Sequence, residues 1–527
     1  MIQDVFLHLT VSPDTLSTLV TFPNASFEAG ALLGSMPHNL AVCPFDCYKS
    51  VQATDASGIV PVTVSTIVGM FGPEQRYTLD RAVSGELRVS YSLSLPAFDP
   101  TVRNPGFAVA MHDFAMTGIG TSFLVLPEGT FRFHLSWDLS AFGKDAFGVV
   151  GNTRGDFVRE CSTYDLKFLY FACGNFKEYA HDGSKLHILA FSKDTRLFDE
   201  FVSIEYLYFN YMERFFHDTE GDYYILLYPT KRTLLTGTAL PRHCFLGFGA
   251  DFIIHDISEV EDVLAHELTH NWCSILENQA EDDGLSSLYA ESTAEFYSSM
   301  MLHRAGGHEL DITVDSINRK LRDYYANPFR NNAYRETYEK SWTHAFAQRA
   351  PYNRGIIMLM HLDCAIRRHT QGAKCLDNLI LNITEKNKPC RIVTWDGFCK
   401  AASVLTDGES DEIFRSVLEG GLLLPPSDYF GNDYELVEST VKERDDGFDL
   451  TVRFEPEKLI HGLVPGSNAE LAGIRNGDKI ISFVSGNEDD ETAATHCVVQ
   501  RDGVELSFDY VARGKEVLCW QYQKCRN

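Results

Sequence analysis

The chain has 527 residues, 44% of them hydrophobic and 12% aromatic, and a formal net charge of −27 at pH 7. This length exceeds one core and predicts three or four domains at roughly 150 residues each, and the apolar content excludes a disordered polypeptide. The acidic balance excludes nucleic acid and anionic membrane surfaces as partners, because both repel it.

The first residues, MIQDVFLHLTVSPDTL, carry no basic stretch leading into a long apolar run, so no secretory signal is read there. No run reaches the ~18 apolar residues that span a bilayer. The expected location is therefore cytoplasmic. The 13 cysteines are scattered and odd in number, the pattern of buried reduced thiols and not of a disulfide framework. Cys43 and Cys47 have no second Cys or His pair nearby and do not make a zinc knuckle.

Residues 1–163 show short alternating runs, LRVSYSLSL and FLVLPEGTFRFHLSW, broken by Pro, Gly, Asn and Asp. They predict a β-rich N-terminal domain, a sandwich that walls one side of a catalytic cleft. Residues 164–307 are read as the catalytic domain. LKFLYFACGNFKEY and KLHILAF predict strands, an aromatic-rich stretch from Leu197 to His217 predicts a helix, and Tyr223–Pro229 and Phe245–His255 predict two further strands. The second of these is the candidate edge strand for pairing with an extended substrate.

The strand at Phe245–His255 leads into VLAHELTHNW, Val263 to Trp272. His266 and His270 are four apart, so on a helix they project from one face about a turn apart, close enough to hold one metal ion. Glu267 follows the first His and need not ligate. Its carboxylate is free to take a proton from a metal-bound water. Hydrolytic zinc takes three protein ligands and leaves a fourth position for water. Cys273 and Leu276 stand where a His-x-x-Gly-x-x-His extension would need other residues, so the third ligand comes from further along. Glu291 is chosen, because LYAESTAEFYSSM carries Leu288, Ala294, Tyr297, Met300 and Met301 at helical spacing and predicts a second helix facing the first. Glu295, one turn on, either accepts the outer N–H of a ligating histidine or is a solvated helix carboxylate. Glu277, Glu281, Asp282 and Asp283 fall in a polar stretch read as the connecting loop.

Residues 308–430 predict a helical domain, with DITVDSINRKLRDYYANP and RGIIMLMHLDCAIRRHT as amphipathic or buried helices. Within it, Pro351 and Gly355 of PYNRG bracket a helix start with Tyr352 at its mouth, where a phenol can donate to a developing oxyanion. LLLPPSDYFG predicts a boundary. After it, residues 431–527 contain LIHGLVPGSNAELAGIRNGDKIISFVSG, which looks like the core of a PDZ domain and implies a possible peptide ligand.

HELTHNW, LYAESTAEFY and LHRAGG together resemble the gluzincin zinc metallopeptidases, specifically the glycyl aminopeptidase family, whose members place a PDZ domain after the catalytic one. The resemblance covers nearly the whole chain and is strongest from Gly237 to Gly420. The stretch between His270 and Glu291 is slightly longer than the gluzincin norm, a change that costs little loop entropy. The resemblance implies a multidomain α+β fold: a β-rich N-terminal domain, a thermolysin-like zinc peptidase domain, a helical domain and a C-terminal PDZ-like domain. It also implies the oxyanion role for Tyr352, since YNRG is similar to the Tyr-x-Lys-Gly segment of related aminopeptidases.

The expected function is zinc-dependent peptide-bond hydrolysis on one Zn²⁺, with His266, His270 and Glu291 as ligands, Glu267 as base and Tyr352 as oxyanion donor. The expected partner is a peptide or protein substrate. Whether the enzyme is an aminopeptidase turns on Gly237 to His243, read GTALPRH, where the family carries a Gly-Gly-Leu-Glu-His type of segment whose glutamate grips the substrate α-amine. By the simplest alignment that glutamate position falls on Pro241. An endopeptidase of the same fold, and a catalytically weak scaffold acting through its PDZ domain, are the alternatives.

Overall fold

A computed structural model describes residues 2–525 apart from 38–50, 70–71, 99–107, 192–197, 231–235, 250–256, 274–283, 342–343, 388–393, 455–456 and 487–489. The chain divides into two compact units, one made of Met1–Tyr206 with Thr219–Asn271 and the other of Leu207–Asp218 with Trp272–Asn527. Cys43 and Cys47 lie outside the described residues, as do the acidic residues of the 274–283 stretch.

The first unit begins with a seven-stranded sheet. Its order is Phe157–Ser162, Thr130–Asp138, Gln3–Ser12, Thr15–Phe27, Val83–Ser94, Gln52–Asp55 and Gly58–Val60. Gln3–Ser12 runs parallel to Thr130–Asp138, and the other neighbours are antiparallel. Val5, Leu7, Leu9 and Val11 alternate inward as the period of two requires, and are fully buried against Leu16, Val20, Leu87 and Val89. The expected strand at Phe123–Leu126 is not one. These residues are fully buried irregular backbone following a short 3₁₀ turn at Gly120–Ser122, and the Val125 N–H is satisfied by the Tyr91 hydroxyl at 3.0 Å. Four consecutive apolar residues report burial, which here is supplied without a ladder.

A five-stranded sheet follows, Thr153–Arg154, Phe147–Val150, Tyr170–Gly174, Ala115–Ile119 and Ala110–Met111. Tyr170–Gly174 thus pairs with strands of the N-terminal region. The next sheet has the order Lys177–Ala180, Leu186–Ala190, Tyr223–Thr230, His243–Gly249 and Thr236–Leu240. Its three central strands are parallel, and the Tyr223–Tyr228 run is buried without alternation, as in strands covered on both faces. The sequence reading placed the substrate edge at Phe245–His255. In the fold, His243–Gly249 is an inner strand and the edge is Thr236–Leu240, which pairs on its outer side. The reason is the Pro241-Arg242 turn, with Leu240 paired to His243. Arg242 takes a left-handed φ of 66°, and its guanidinium donates to the carbonyls of Gly221 and Asp222.

The second unit is helical over much of its length, with helices at Leu285–Arg304, Leu310–Ala326, Ala350–His369, Leu376–Asn387, Trp395–Thr406 and Glu409–Glu419. Leu285–Arg304 is buried on most of its surface, and its Ser292, Thr293 and Ser298 hydroxyls donate to carbonyls of their own helix, which satisfies them within the helix. LLLPPSDYFG forms neither helix nor strand until the short 3₁₀ turn at Gly431–Asp433. Tyr434–Arg444 then pairs antiparallel with Arg513–Lys524, and Lys479–Val484, Thr495–Arg501 and Val504–Tyr510 form a three-stranded sheet. In PGSNAELAG, Ser467 caps the helix Asn468–Ala472 by accepting from the Glu470 N–H, and Gly473 ends it at φ 109°. Asp478 of NGDK is held by a two-point ion pair with Arg501 at 2.7 Å. Among the described residues no helix is long and apolar enough to cross a membrane.

Candidate metal centre

The helix Ile257–Thr269 carries His266 and Glu267, and His270 follows its last residue in a turn. Val260, Leu264, Ala265 and Leu268 bury its apolar face, which leaves the i, i+4 pair of histidines on a shared side. Their Nε2 atoms lie 3.1 Å apart with the rings at 84°. Two nitrogens bound tetrahedrally to zinc at the usual distance would be about 3.3 Å apart, so the pair fits such an ion with little adjustment. Two imidazoles together with one carboxylate would make the ligand set of a hydrolytic zinc site with one position left for water. A residue with neither charge nor lone pair at any of the three positions would break the set.

Glu267 is buried, and Gly237 is the reason its carboxylate has room. A Cβ on Gly237 would lie 2.1 Å from Glu267 Oε1 and 2.4 Å from its Cδ. The edge strand Thr236–Leu240 therefore lays bare backbone against the proposed base, a close approach that only glycine permits. Further in, burial pushes the phenols of Tyr170 and Tyr223 and the Cys244 thiol well above their ordinary range, and the negative charge of Glu267 adds to each rise. These three groups stay protonated at neutral pH, so the interior next to Glu267 offers O–H and S–H groups. Glu205 is fully buried, and desolvation followed by the charges of Glu261 and Asp262 raises its carboxyl well above the carboxylate range.

In the second unit, Glu291 is half-buried in the second turn of Leu285–Arg304. Glu295, on the same helix, pairs through Oε2 with Lys320 Nζ at 2.7 Å. The reading of Glu295 as a solvated carboxylate is thus replaced by that of a half-buried, ion-paired one, because Lys320 reaches in from Leu310–Ala326 and also meets the Ser299 hydroxyl at 2.9 Å. An ammonium partner thus already neutralises it. Trp272, which closes the motif, donates to Asp218 at 2.9 Å and stacks on Phe216. Tyr352 is half-buried in the first turn of Ala350–His369, with Pro351 in that turn where its missing N–H costs nothing. Pro241 is exposed at the hairpin tip.

Gly237, Arg354 and Gly355 were not singled out as site-shaping residues from sequence. The signal for Gly237 was its place at the head of GTALPRH, and for Gly355 its place inside a helical pattern, where glycine is unfavourable unless packing demands it.

No family model matches the chain, and no curated protein matches it. Among solved structures, the chain is similar to an aminopeptidase N family protein from Idiomarina loihiensis at 14% identity and a TM-score of 0.67, over 98% of this chain and 97% of that one. It is also similar to leukotriene A4 hydrolase from Saccharomyces cerevisiae, at 15% identity and a TM-score of 0.48 over 81% of this chain and 69% of that one. An M1 zinc metallopeptidase from Deinococcus radiodurans scores 0.44 at 14% identity, over 81% of this chain and 96% of that one. The first likeness shows the fold, a multidomain α+β architecture with a β-rich N-terminal region and a helical region.

Proposed function

We propose that the protein is a zinc-dependent peptidase of the gluzincin type, with His266, His270 and Glu291 as the zinc ligands, and an aminopeptidase of the glycyl aminopeptidase kind. The observation that carries this reading is the approach of the two imidazole Nε2 atoms to 3.1 Å, with Glu267 between them in sequence. Zinc held there supplies Lewis acidity toward water and toward the scissile carbonyl. Glu267 takes the proton of the attacking water and delivers it to the leaving amine, a transfer suited to a carboxylate packed against the backbone of Gly237. Tyr352 donates its phenol hydrogen to the carbonyl oxygen as that atom becomes negative. Glu295, tied to Lys320, is assigned to orienting a ligating histidine. The four-part division at 163, 307 and 430 belongs to this reading, as does a PDZ-like module over 431–527 with a peptide ligand. The order of strand, PGS turn, capped short helix and NGDK strand supports that module.

Internal cleavage is the second reading, and Pro241 favours it. An amine anchor in this position would stand at an exposed hairpin tip, and proline offers neither charge nor N–H. Burying a substrate ammonium without a carboxylate costs several kcal/mol. The test is cleavage of a mixed peptide pool with and without a chelator, followed by one peptide in free and N-acetylated forms with the cut sites mapped by mass spectrometry. Chelator-sensitive cleavage of the free form alone, at its first bond, assigns the aminopeptidase. Cleavage of both forms assigns the endopeptidase, and no chelator-sensitive cleavage overturns the peptidase.

Tyr352→Phe is expected to keep fold and zinc and to lower kcat with little change in KM, as for a contact made mainly in the transition state. Steady-state kinetics at fixed zinc content check it, and an unchanged kcat removes Tyr352 from the chemistry.

A further inference from the structure

Tyr352 begins a four-residue run, Tyr352-Asn353-Arg354-Gly355, whose last two members have no part in the chemistry above. Both are nonetheless placed by the fold in ways their types explain. Gly355 lies inside the helix Ala350–His369 with no left-handed φ to justify it. A Cβ there would lie 2.1 Å from the Cβ of Ser292 and 2.9 Å from its Cα. The helix bearing Tyr352 thus touches the helix Leu285–Arg304 backbone to backbone, at the residue directly after Glu291. Tyr352 and Gly355 are three apart and share one helix face about a turn apart. Tyr352 therefore shares the helix face that packs, through Gly355, on the residue next to Glu291.

Arg354 holds the same turn from about 100° around the helix. Its guanidinium is fully buried and donates to the carbonyls of Val417 at 2.9 Å, Arg330 at 2.7 Å and Phe329 at 3.4 Å, and to that of Asn332. Val417 lies in the last turn of Glu409–Glu419, where carbonyls lack helix partners and a cation is favoured.

We infer that Gly355 is a positioning residue: its missing side chain sets the distance between the helices of Tyr352 and Glu291, and so places the tyrosine hydroxyl for catalysis, with Arg354 fixing the turn in that seat. The inference rests on the peptidase reading and adds a residue to it that touches neither substrate nor metal. Gly355→Ala must open the contact from 2.1 Å to an ordinary separation, a shift on the order of 1 Å, which for a positioned catalytic group lowers rate by about 10²-fold.

The experiment measures kcat, KM, zinc stoichiometry and melting temperature for wild type, Gly355→Ala, Tyr352→Phe, the pair of these together, and Gly355→Ala with Ser292→Gly. Gly355→Ala is expected to lower kcat about 10²-fold at near-constant KM and full zinc content, and in the Tyr352→Phe background to add less than about a threefold loss. Removing the opposing Cβ by Ser292→Gly is expected to recover about tenfold or more of that loss. A merely structural glycine would give the same loss with or without the phenol hydroxyl, and that result overturns the inference, as does wild-type kcat in Gly355→Ala. If Gly355→Ala does not fold, Ser292→Thr crowds the contact from the other side and takes the same cycle with Tyr352→Phe. A wild type without chelator-sensitive cleavage overturns the peptidase reading and this inference with it, whereas an active wild type with additive losses overturns this inference alone.

Discussion

Glu267→Gln is expected to lower kcat by roughly 10²- to 10⁴-fold while the protein keeps its zinc, because it removes a general base and no ligand. The substitution is nearly isosteric, which matters at this position. Glu267 is buried against the backbone of Gly237, with no space for a change in side-chain volume. Glutamine fills the same space, and its amide cannot accept the water proton. Tyr170, Tyr223 and Cys244 beside it are protonated near pH 7 and cannot replace it as a base. Zinc stoichiometry by atomic absorption together with kcat on a peptide cleaved by the wild type measures both parts. A variant within a few-fold of wild type means that the proton goes elsewhere, and a variant without zinc means that Glu267 is a ligand.

Glu291→Ala is expected to empty the site and abolish chelator-sensitive turnover. Two imidazoles alone leave a tetrahedral ion with two open positions, and a carboxylate would be the charged member of the proposed donor set. Zinc per chain should fall from about one toward none, and added zinc should no longer raise the melting temperature, because stabilisation by a ligand disappears with its affinity for the native state. Glu281→Ala is the control, and it should keep both the metal and the zinc-dependent shift. If Glu281→Ala loses the ion and Glu291→Ala retains it, the ligand lies in the connecting stretch instead of on the helix Leu285–Arg304.

Local features were legible wherever one residue type answers to one local demand. The spacing of His266 and His270 on a helix predicts converging nitrogens, and they converge to 3.1 Å. The inward alternation of Val5, Leu7, Leu9 and Val11 is written in the chain, as are the helical periods of Leu285–Arg304 and Ala350–His369 and the capped helix at Ser467. Each follows from contacts within a few residues, or from a period set by backbone geometry alone.

Strand order was not legible in this way, since it depends on which backbones pair across long sequence separations. An apolar run such as Phe245–Leu246 reports burial and cannot say whether a strand is inner or outer, so the edge was assigned one strand too late and belongs to Thr236–Leu240. Phe123–Leu126 misled for the same reason, its burial coming without a ladder. The partner of Glu295 could not be read because Lys320 meets it only when two helices pack. Close approaches were the least legible of all. Gly237 and Gly355 matter through atoms they lack, and what a missing Cβ makes room for, the carboxylate of Glu267 in one case and Ser292 in the other, is set by the tertiary structure alone. The amino-acid sequence by itself determined which groups could do the chemistry, because reactivity belongs to side-chain type and short-range spacing. Which strand lies against Glu267, and which helix packs on Ser292, were decided only when distant backbones packed within van der Waals reach.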